Sequence, residues 1–354
     1  MIYHVALWMR HFSPIFNVVH YVSFRGMAAL LTSLSLSLWL GPWFIALSGK
    51  FFRSKARAYT PKSQQPTNEM PTMGGIFIIT TVVASVLLWT NLLNPQVWIV
   101  LFCLISFASI GLLDDVTKIK SRKGIDSKTK FILQLTASAI TLGLWWYSGG
   151  VSTELCIPFF KQYVPNLGLL FFVWAGFILV GTSNAVNLTD GLDGLAIGSL
   201  IVSFGTFSVI TYLAGHQKLA EYLHIPFAGS SELSIIGSAL VGASLGFLWY
   251  NTYPAQIIMG DVGSLGLGAV LGLMALMSKQ ELLLPLIGGL FVIETLSVIG
   301  QVLSLRYLGR RMFRMAPIHH HFELVGWQES KITTRFSIIS LVLSLIALMT
   351  IKLR

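Results

Sequence analysis

Residues 97–118 read VWIVLFCLISFASIGLLDDVTK, an apolar run that ends directly in two carboxylates. A basic loop follows, and a second apolar run begins at Phe131. Asp114 and Asp115 are therefore predicted to stand where a membrane helix meets water, beside a group of cations. A phosphate-handling site with a divalent metal needs this combination. Taken alone, two such carboxylates are more simply explained as residues that end and orient a helix. The rest of the chain favours the functional interpretation instead.

The composition is that of an integral membrane protein. Of the 354 residues, 54% are hydrophobic and 11% are charged, and the mean hydropathy is +0.74. A soluble chain would carry about a quarter charged residues. The net charge of +10 therefore indicates membrane topology and contact with anionic lipids or phosphates rather than nucleic acid. The two cysteines have no metal-ligand spacing, and no disulfide is expected.

Ten apolar runs predict an all-α integral membrane protein with about ten transmembrane helices. No linker, low-complexity tract or internal repeat divides the chain, so residues 1–354 are predicted to form one domain. The predicted spans are residues 24–47, 74–93, 96–113, 131–147, 168–185, 195–214, 235–250, 264–278, 282–304 and 336–351.

The basic residues are distributed unevenly between the two sides of these spans. Loops 48–73, 114–130 and 305–335 hold 17 of the 24 Lys and Arg residues. The positive-inside rule places those loops in the cytoplasm and both termini outside. All six aspartates fall on the same predicted side. Topology does not require that asymmetry, whereas a shared active site on the cytoplasmic face explains it.

Glu294 is the one ionisable residue within a predicted span that topology does not explain. An ionisable group in an apolar run is a functional candidate by default. It could equally mark a helix break or bond a neighbouring helix, and the sequence leaves these alternatives open.

Residues 184–194 read NAVNLTDGLDG and connect two predicted spans. Their amides and carboxylates recur every three residues, so a helical turn would place them on adjacent positions of one face. Together these groups can bond the donor and acceptor edges of a base or a sugar, which a plain interhelical loop does not need. The candidate binding residues are Asn184, Asn187, Asp190 and Asp193.

Three further motifs lie at predicted cytoplasmic ends of spans. Met259-Gly-Asp261-Val-Gly leaves Asp261 sterically open at a membrane end, which suits a Mg²⁺ ligand. Asn251, in the sequence WYN, is a candidate for bonding the same substrate. The sequence PTMGG at residues 71–75 permits close backbone approach to a neighbour or a ligand, and helix packing is the favoured interpretation.

Three adjacent histidines follow a group of arginines. His319, His320 and His321 cannot all face one metal from a regular helix, which argues against a zinc site. Beside arginines and a proline turn, their preferred role is hydrogen bonding to phosphate oxygens or to a leaving group.

Together, these motifs resemble those of the polyprenyl-phosphate N-acetylhexosamine-1-phosphate transferases. PTMGG, LLDDVTK, NAVNLTDGLDGLA, WYN, MGDVGSLGLG and APIHHHFE occur in the family's order and span most of the chain. Each motif is weakly specific, and the six in order carry the assignment.

The resemblance implies a reaction as well as a fold. Phospho-MurNAc-pentapeptide would pass from UDP-MurNAc-pentapeptide to undecaprenyl phosphate, giving lipid I and UMP, with Mg²⁺ as cofactor. The expected location is the inner (cytoplasmic) membrane of a bacterial cell, among membrane lipids, and a homodimer is left open. The nearest alternative is a related enzyme that uses UDP-GlcNAc or a similar donor, which the PIHHHFE form disfavours. A transporter would need ionisable groups near mid-membrane, where only Glu294 qualifies.

Roles follow from the resemblance, motif by motif. Asp114, Asp115 and Asp261 correspond to the family's essential aspartates, with Asp261 as the metal ligand. Asp114 is the preferred base or lipid-phosphate orienter, and Asp115 is the second choice. The histidines correspond to the family's histidine motif. The remaining assigned residues form the nucleotide-side loop and a loop lysine: Asn184, Asn187, Asp190, Asp193 and Lys130.

Two stretches depart from the family pattern. Residues 65–70 read QPTNEM, where the family usually has a Lys-containing KxGT sequence. Ile258 stands where Phe is usual. Because of the first departure, the family's usual contacts of the loop before the second span do not carry over to this chain. Because of the second, an aromatic platform for uracil does not carry over.

Overall fold

A computed structural model gives the fold and describes residues 1–54, 70–121, 123–158 and 163–352. Within these ranges the regular structure is helical, apart from one antiparallel pair of two-residue strands, a 3₁₀ segment and an isolated bridge. The strands are Arg53–Ser54 (β1) and Met70–Pro71 (β2).

The helices are numbered in chain order. They are α1 Ile2–Met9, α2 Val22–Phe51, α3 Gly74–Trp89, α4 Pro95–Ser121, α5 Ser127–Tyr147, α6 Leu170–Thr189, α7 Leu195–Gly215, α8 Gln217–Leu223, α9 Ser231–Asn251, α10 Gly260–Met277, α11 Leu284–Ile287, α12 Gly289–Leu308, α13 Ile318–Val325 and α14 Glu329–Lys352.

The predicted class is confirmed, since every predicted span falls on a helix. Eight helices of the described ranges are long and apolar enough to cross a membrane: α2, α4, α6, α7, α9, α10, α12 and α14. The apolar helix α3 has 16 residues, and α5 has 21. The count of ten spans stays a prediction for these two.

Helix α4 continues beyond the predicted 96–113 span, to Ser121. Asp114 and Asp115 therefore lie inside a helix and are buried, with 3% and 6% exposed. The helix tolerates them because Lys118, one turn further on, places its Nζ 2.9 Å from an oxygen of Asp114. Basic residues in the last turn also favour the helix dipole.

The predicted 282–304 span is two helices rather than one. The single turn α11 ends at Ile287, and α12 begins at Gly289, after the non-helical backbone of Gly288. Beyond this break, α12 carries half-exposed apolar side chains such as Leu296, Val302 and Leu305. In a membrane protein, such a face lies against lipid.

Helix α10 is the centre of the bundle. It is buried over almost its whole length and packs against α3, α4, α6 and α7. Its first turn carries Asp261. The packing of α10 thus places this carboxylate among neighbouring helices.

Candidate active site

Close backbone contact between helices sets the geometry around Asp261. A Cβ added at Gly111 of α4 would lie 2.2 Å from the Asp261 carbonyl oxygen, and one at Gly75 of α3 would lie 2.1 Å from the Gly263 nitrogen. Only glycine fits such crossings. The amides of Gly74 and Gly75 also donate to the carbonyls of Ile258 and Met259 at 2.9 and 2.8 Å. The PTMGG motif therefore packs against the start of α10, as the favoured interpretation held.

Two buried carboxylates share two ammonium groups at this crossing. Lys118 Nζ lies 2.9 Å from an oxygen of Asp114 and 2.9 Å from one of Asp261. Lys130 Nζ donates to the same two oxygens at 3.0 and 2.6 Å. Both carboxylates are almost wholly buried. We call Asp114, Asp115, Asp261, Lys118 and Lys130 the carboxylate–lysine cluster.

Asp114 and Asp115 differ in the donors that reach them. The second oxygen of Asp114 accepts from the amide of Ile125 at 2.7 Å. Asp115 Oδ2 accepts from the amide of Val262 at 3.2 Å. Its Oδ1 has only Lys118 nearby among the described residues, and that Nζ is 3.9 Å away. Among the described residues, Asp115 Oδ1 thus accepts no hydrogen bond, whereas both oxygens of Asp114 accept at least one.

The donor chemistry of the cluster fits a hard divalent cation. Its three carboxylates exceed its two lysines by one negative charge, and oxygen ligands are those Mg²⁺ prefers. Within the described ranges, however, no three acidic, His or Cys side chains converge as a complete metal cage. The carboxylate chemistry therefore fits Mg²⁺ bound through one or two of these side chains, together with water and substrate phosphates.

The side chains of residues 184–194 have different hydrogen-bond partners. Asn187 Nδ2 donates to Asp261 Oδ1 at 3.0 Å and to Ser264 Oγ at 2.8 Å, so this amide contacts the carboxylate–lysine cluster directly. Asn184, one turn earlier, exchanges hydrogen bonds with Gln134 of α5 at 2.8 and 3.3 Å. The structure thus brings Asn187 to the carboxylates and uses Asn184 to join α5 to α6.

The turn 190–194 is fixed by the loop before α10 and by α14. Asp190 is the C-cap of α6. Asp193 Oδ2 accepts from the amide of Ala255 at 2.9 Å, while its own amide donates to Glu329 at 2.7 Å. Burial raises the pKa of the Asp193 carboxyl, and the Ala255 hydrogen bond opposes that shift. Asn251, which is buried, accepts from the amide of Gly194 at 3.0 Å and donates to Ile257. Asp193 and Asn251 therefore hold loops together in this structure.

The three predicted histidines point to three different partners. His319 is fully buried, with Nδ1 3.1 Å from Glu294 Oε2. His320 Nδ1 lies 2.6 Å from Glu323, and His321 Nδ1 accepts from the amide of Arg314 at 3.2 Å. Of the alternatives left open for Glu294, the structure excludes the helix break, which falls at Gly288, and shows a contact with the neighbouring helix α13 through His319.

Several residues of this region are not predicted from the sequence. Lys118 is one of several basic residues after Asp115, and its spacing of four from Asp114 is that of a helical ion pair. Ser264 stands one turn after Asp261, where a helical reading would have found it. Gln134 and Glu329 give no signal, because each meets a partner far away in the chain.

Of the two departures from the family pattern, one lies largely outside the described ranges and the other lies within them. Residues 65–69 lie outside the described ranges, and Met70 begins β2. Ile258 uses its backbone, since its amide donates to Pro71 at 3.0 Å and its carbonyl accepts from Gly74.

Comparison with known proteins gives a family and a full-length relative. Residues 97–279 match the family described as glycosyl transferase family 4, and this range contains the whole carboxylate–lysine cluster. The chain is also similar to the phospho-N-acetylmuramoyl-pentapeptide-transferase of Geobacter sp. (strain M21). The identity is 46% over 358 residues, which cover 100% of both chains.

Proposed function

We propose a function from the premise that this chain belongs to the phospho-N-acetylmuramoyl-pentapeptide-transferases, within glycosyl transferase family 4. The enzyme transfers phospho-MurNAc-pentapeptide from UDP-MurNAc-pentapeptide to undecaprenyl phosphate. The products are UMP and lipid I, the lipid-linked precursor used in peptidoglycan synthesis. The reaction takes place at the cytoplasmic face of a bacterial inner membrane.

The carboxylate–lysine cluster is the observation that carries this proposal. In this reaction a phosphate oxygen of the lipid attacks the β-phosphorus of the nucleotide sugar, so two anions must approach in line. Lys118 and Lys130 supply the ammonium groups that such an approach needs. Lys118 is 34% exposed at its side chain, so it is the cation that a substrate phosphate reaches first.

Within the cluster the carboxylates take separate roles. Asp115 is the better candidate for accepting a proton, because its Oδ1 accepts no hydrogen bond from the described residues. Asp114, whose oxygens already accept from two lysines and an amide, orients Lys118 and Lys130. Mg²⁺ bound at Asp261 would neutralise phosphate charge and position both substrates. Asn187 orients Asp261 through the hydrogen bond to its Oδ1.

The test is a reconstituted transfer reaction. Purified protein is supplied with Mg²⁺, undecaprenyl phosphate and either UDP-MurNAc-pentapeptide or UDP-GlcNAc, and UMP release is measured. We expect UMP only from the muramoyl donor, with the release abolished by EDTA and by Asp261→Asn. Asp126→Asn is the matched control, because this exposed aspartate caps α5 on the neighbouring loop and its amide analogue can still cap.

Each contrary outcome has a definite meaning. UMP released from UDP-GlcNAc instead would assign the chain to the sibling activity. No release from either donor would refute the transferase. Release that survives EDTA and Asp261→Asn would remove the metal and Asp261 from the reaction.

A further inference from the structure

Glu294 lies in a place where a carboxyl group is costly. It is fully buried in the first half of α12, a helix that is otherwise apolar over this region. Leu290, one turn earlier, belongs to an apolar cluster with Leu192, Leu195, Ile332 and Phe336. A buried carboxylate persists in such surroundings only when it is paired.

The partner of Glu294 is His319, at the start of α13. Nδ1 of His319 is 3.1 Å from Oε2 of Glu294, and both side chains are 0% exposed. Within the described ranges, Glu294 makes no other ion pair. The pair thus joins α12 to α13 at a fully buried contact.

The other ring nitrogen of His319 faces the turn 190–194. A Cβ added at Gly191 would lie 2.3 Å from His319 Nε2, so the ring rests against the backbone of that glycine. The ring thus meets Glu294 along its Nδ1 edge and the turn along its Nε2 edge. In the described part of the chain, neither ring nitrogen of His319 and neither oxygen of Glu294 makes an aligned hydrogen bond, so the two side chains meet as a buried ion-pair contact at 3.1 Å.

We infer that Glu294 is a positioning residue, which acts through His319 to hold the 190–194 turn in the conformation that binds the nucleotide of the donor. The inference rests on the proposed function, because the turn carries Asp190 and Asp193 on the side assigned to the nucleotide. Glu294 itself touches no reacting atom. Its effect on the reaction passes through the imidazole ring and the Gly191 backbone.

The experiment is a double-mutant cycle on nucleotide binding. UMP binding is measured by calorimetry for wild type, Glu294→Gln, His319→Gln and the double variant. The donor KM and kcat are measured beside it. We expect Glu294→Gln to weaken UMP binding about tenfold, which corresponds to a coupling of about 1.4 kcal/mol. The donor KM should rise by a similar factor, and kcat should change less. The double variant should bind no more weakly than His319→Gln alone.

Two further variants separate positioning from general damage. Ser297→Ala is the matched control, because Ser297 is buried on the same helix and its Oγ donates only to the Glu294 carbonyl within α12. It should leave UMP binding unchanged. Glu294→Asp keeps the carboxylate on a shorter side chain and should recover part of the affinity that Glu294→Gln loses, also where Glu294→Gln itself does not fold.

The outcomes distinguish this inference from the proposed function. If wild type turns over the donor while Glu294→Gln and Glu294→Asp both bind UMP normally, the inference alone is wrong. Losses that simply add in the double variant also refute it. If the wild-type protein neither binds UMP nor turns over the donor, the proposed function fails, and the inference that rests on it fails too.

Discussion

At the scale of single residues, Lys118 determines how three acidic groups coexist in the cluster. It bridges α4 and α10 by contacting Asp114 and Asp261, while Lys130 contacts the same pair from α5. Buried carboxylates without cations repel one another and lose hydration. The partial exposure of Lys118 lets solvent screen part of its interaction.

Lys118→Met should therefore destabilise the protein moderately. We expect about 1–2 kcal/mol, below the value for a fully buried pair, because Lys130 remains and Lys118 is partly solvated. Unfolding in detergent would be followed with and without Mg²⁺. Added Mg²⁺ should stabilise the variant more than the wild type, because a cation can replace the lost ammonium charge.

Lys120→Met is the control for this substitution. Lys120 is an exposed residue in the last turn of the same helix, so its replacement tests the loss of charge without the loss of the bridge. Equal destabilisation by the two substitutions would show that Lys118 does not hold the carboxylates together.

At the scale of secondary-structure elements, the site depends on how closely α3 and α4 approach the start of α10. The cluster exists because the carbonyl of Asp261 rests against Gly111, one turn before Asp114 and Asp115. The contact is between backbones, so no side-chain rearrangement can compensate for an added methyl group. Overpacking at such a crossing costs about 1–3 kcal/mol.

Gly111→Ala should displace α10 from α4 and lower both stability and turnover. Turnover should fall more sharply than folding, because a shift of about 1 Å at the reacting groups can cost about a hundredfold in rate. UMP release and thermal unfolding would be measured on the same preparations. Gly143→Ala in α5 is the control, since a Cβ there meets nothing within 4 Å. A Gly111→Ala protein with wild-type turnover would contradict the proposed geometry.

At the scale of the whole molecule, the membrane makes the spans predictable from sequence. A span must be long and apolar, so each predicted run falls on a helix. Two helix boundaries differ from the limits of the apolar runs, because features other than apolar length determine them. Helix α4 extends beyond its apolar run because Lys118 neutralises Asp114 one turn away. The 282–304 run breaks at Gly288, although its apolar character continues on both sides.

The site was predictable as a set of residues but not as a set of contacts. The convergence of all six aspartates on one predicted side indicated a shared site, and the structure brings Asp114, Asp115 and Asp261 together. Pairs such as Asn184 with Gln134, or His319 with Glu294, join residues on separate helices. Such pairs arise from helix packing, which local sequence does not encode.

The orientation of the whole molecule in the membrane is the last expectation to test. Because 17 of the 24 basic residues lie in three loops, we expect those loops in the cytoplasm. In intact cells, an impermeant thiol reagent should label Lys218→Cys in α8 and leave Arg311→Cys unlabelled, since both positions are exposed on the protein. The native cysteines, Cys103 and Cys156, are buried and give little background. Arg311→Cys should react once the cells are permeabilised. Labelling of Arg311→Cys from outside would invert the topology and move the carboxylate–lysine cluster away from the cytoplasmic pool of UDP-sugar.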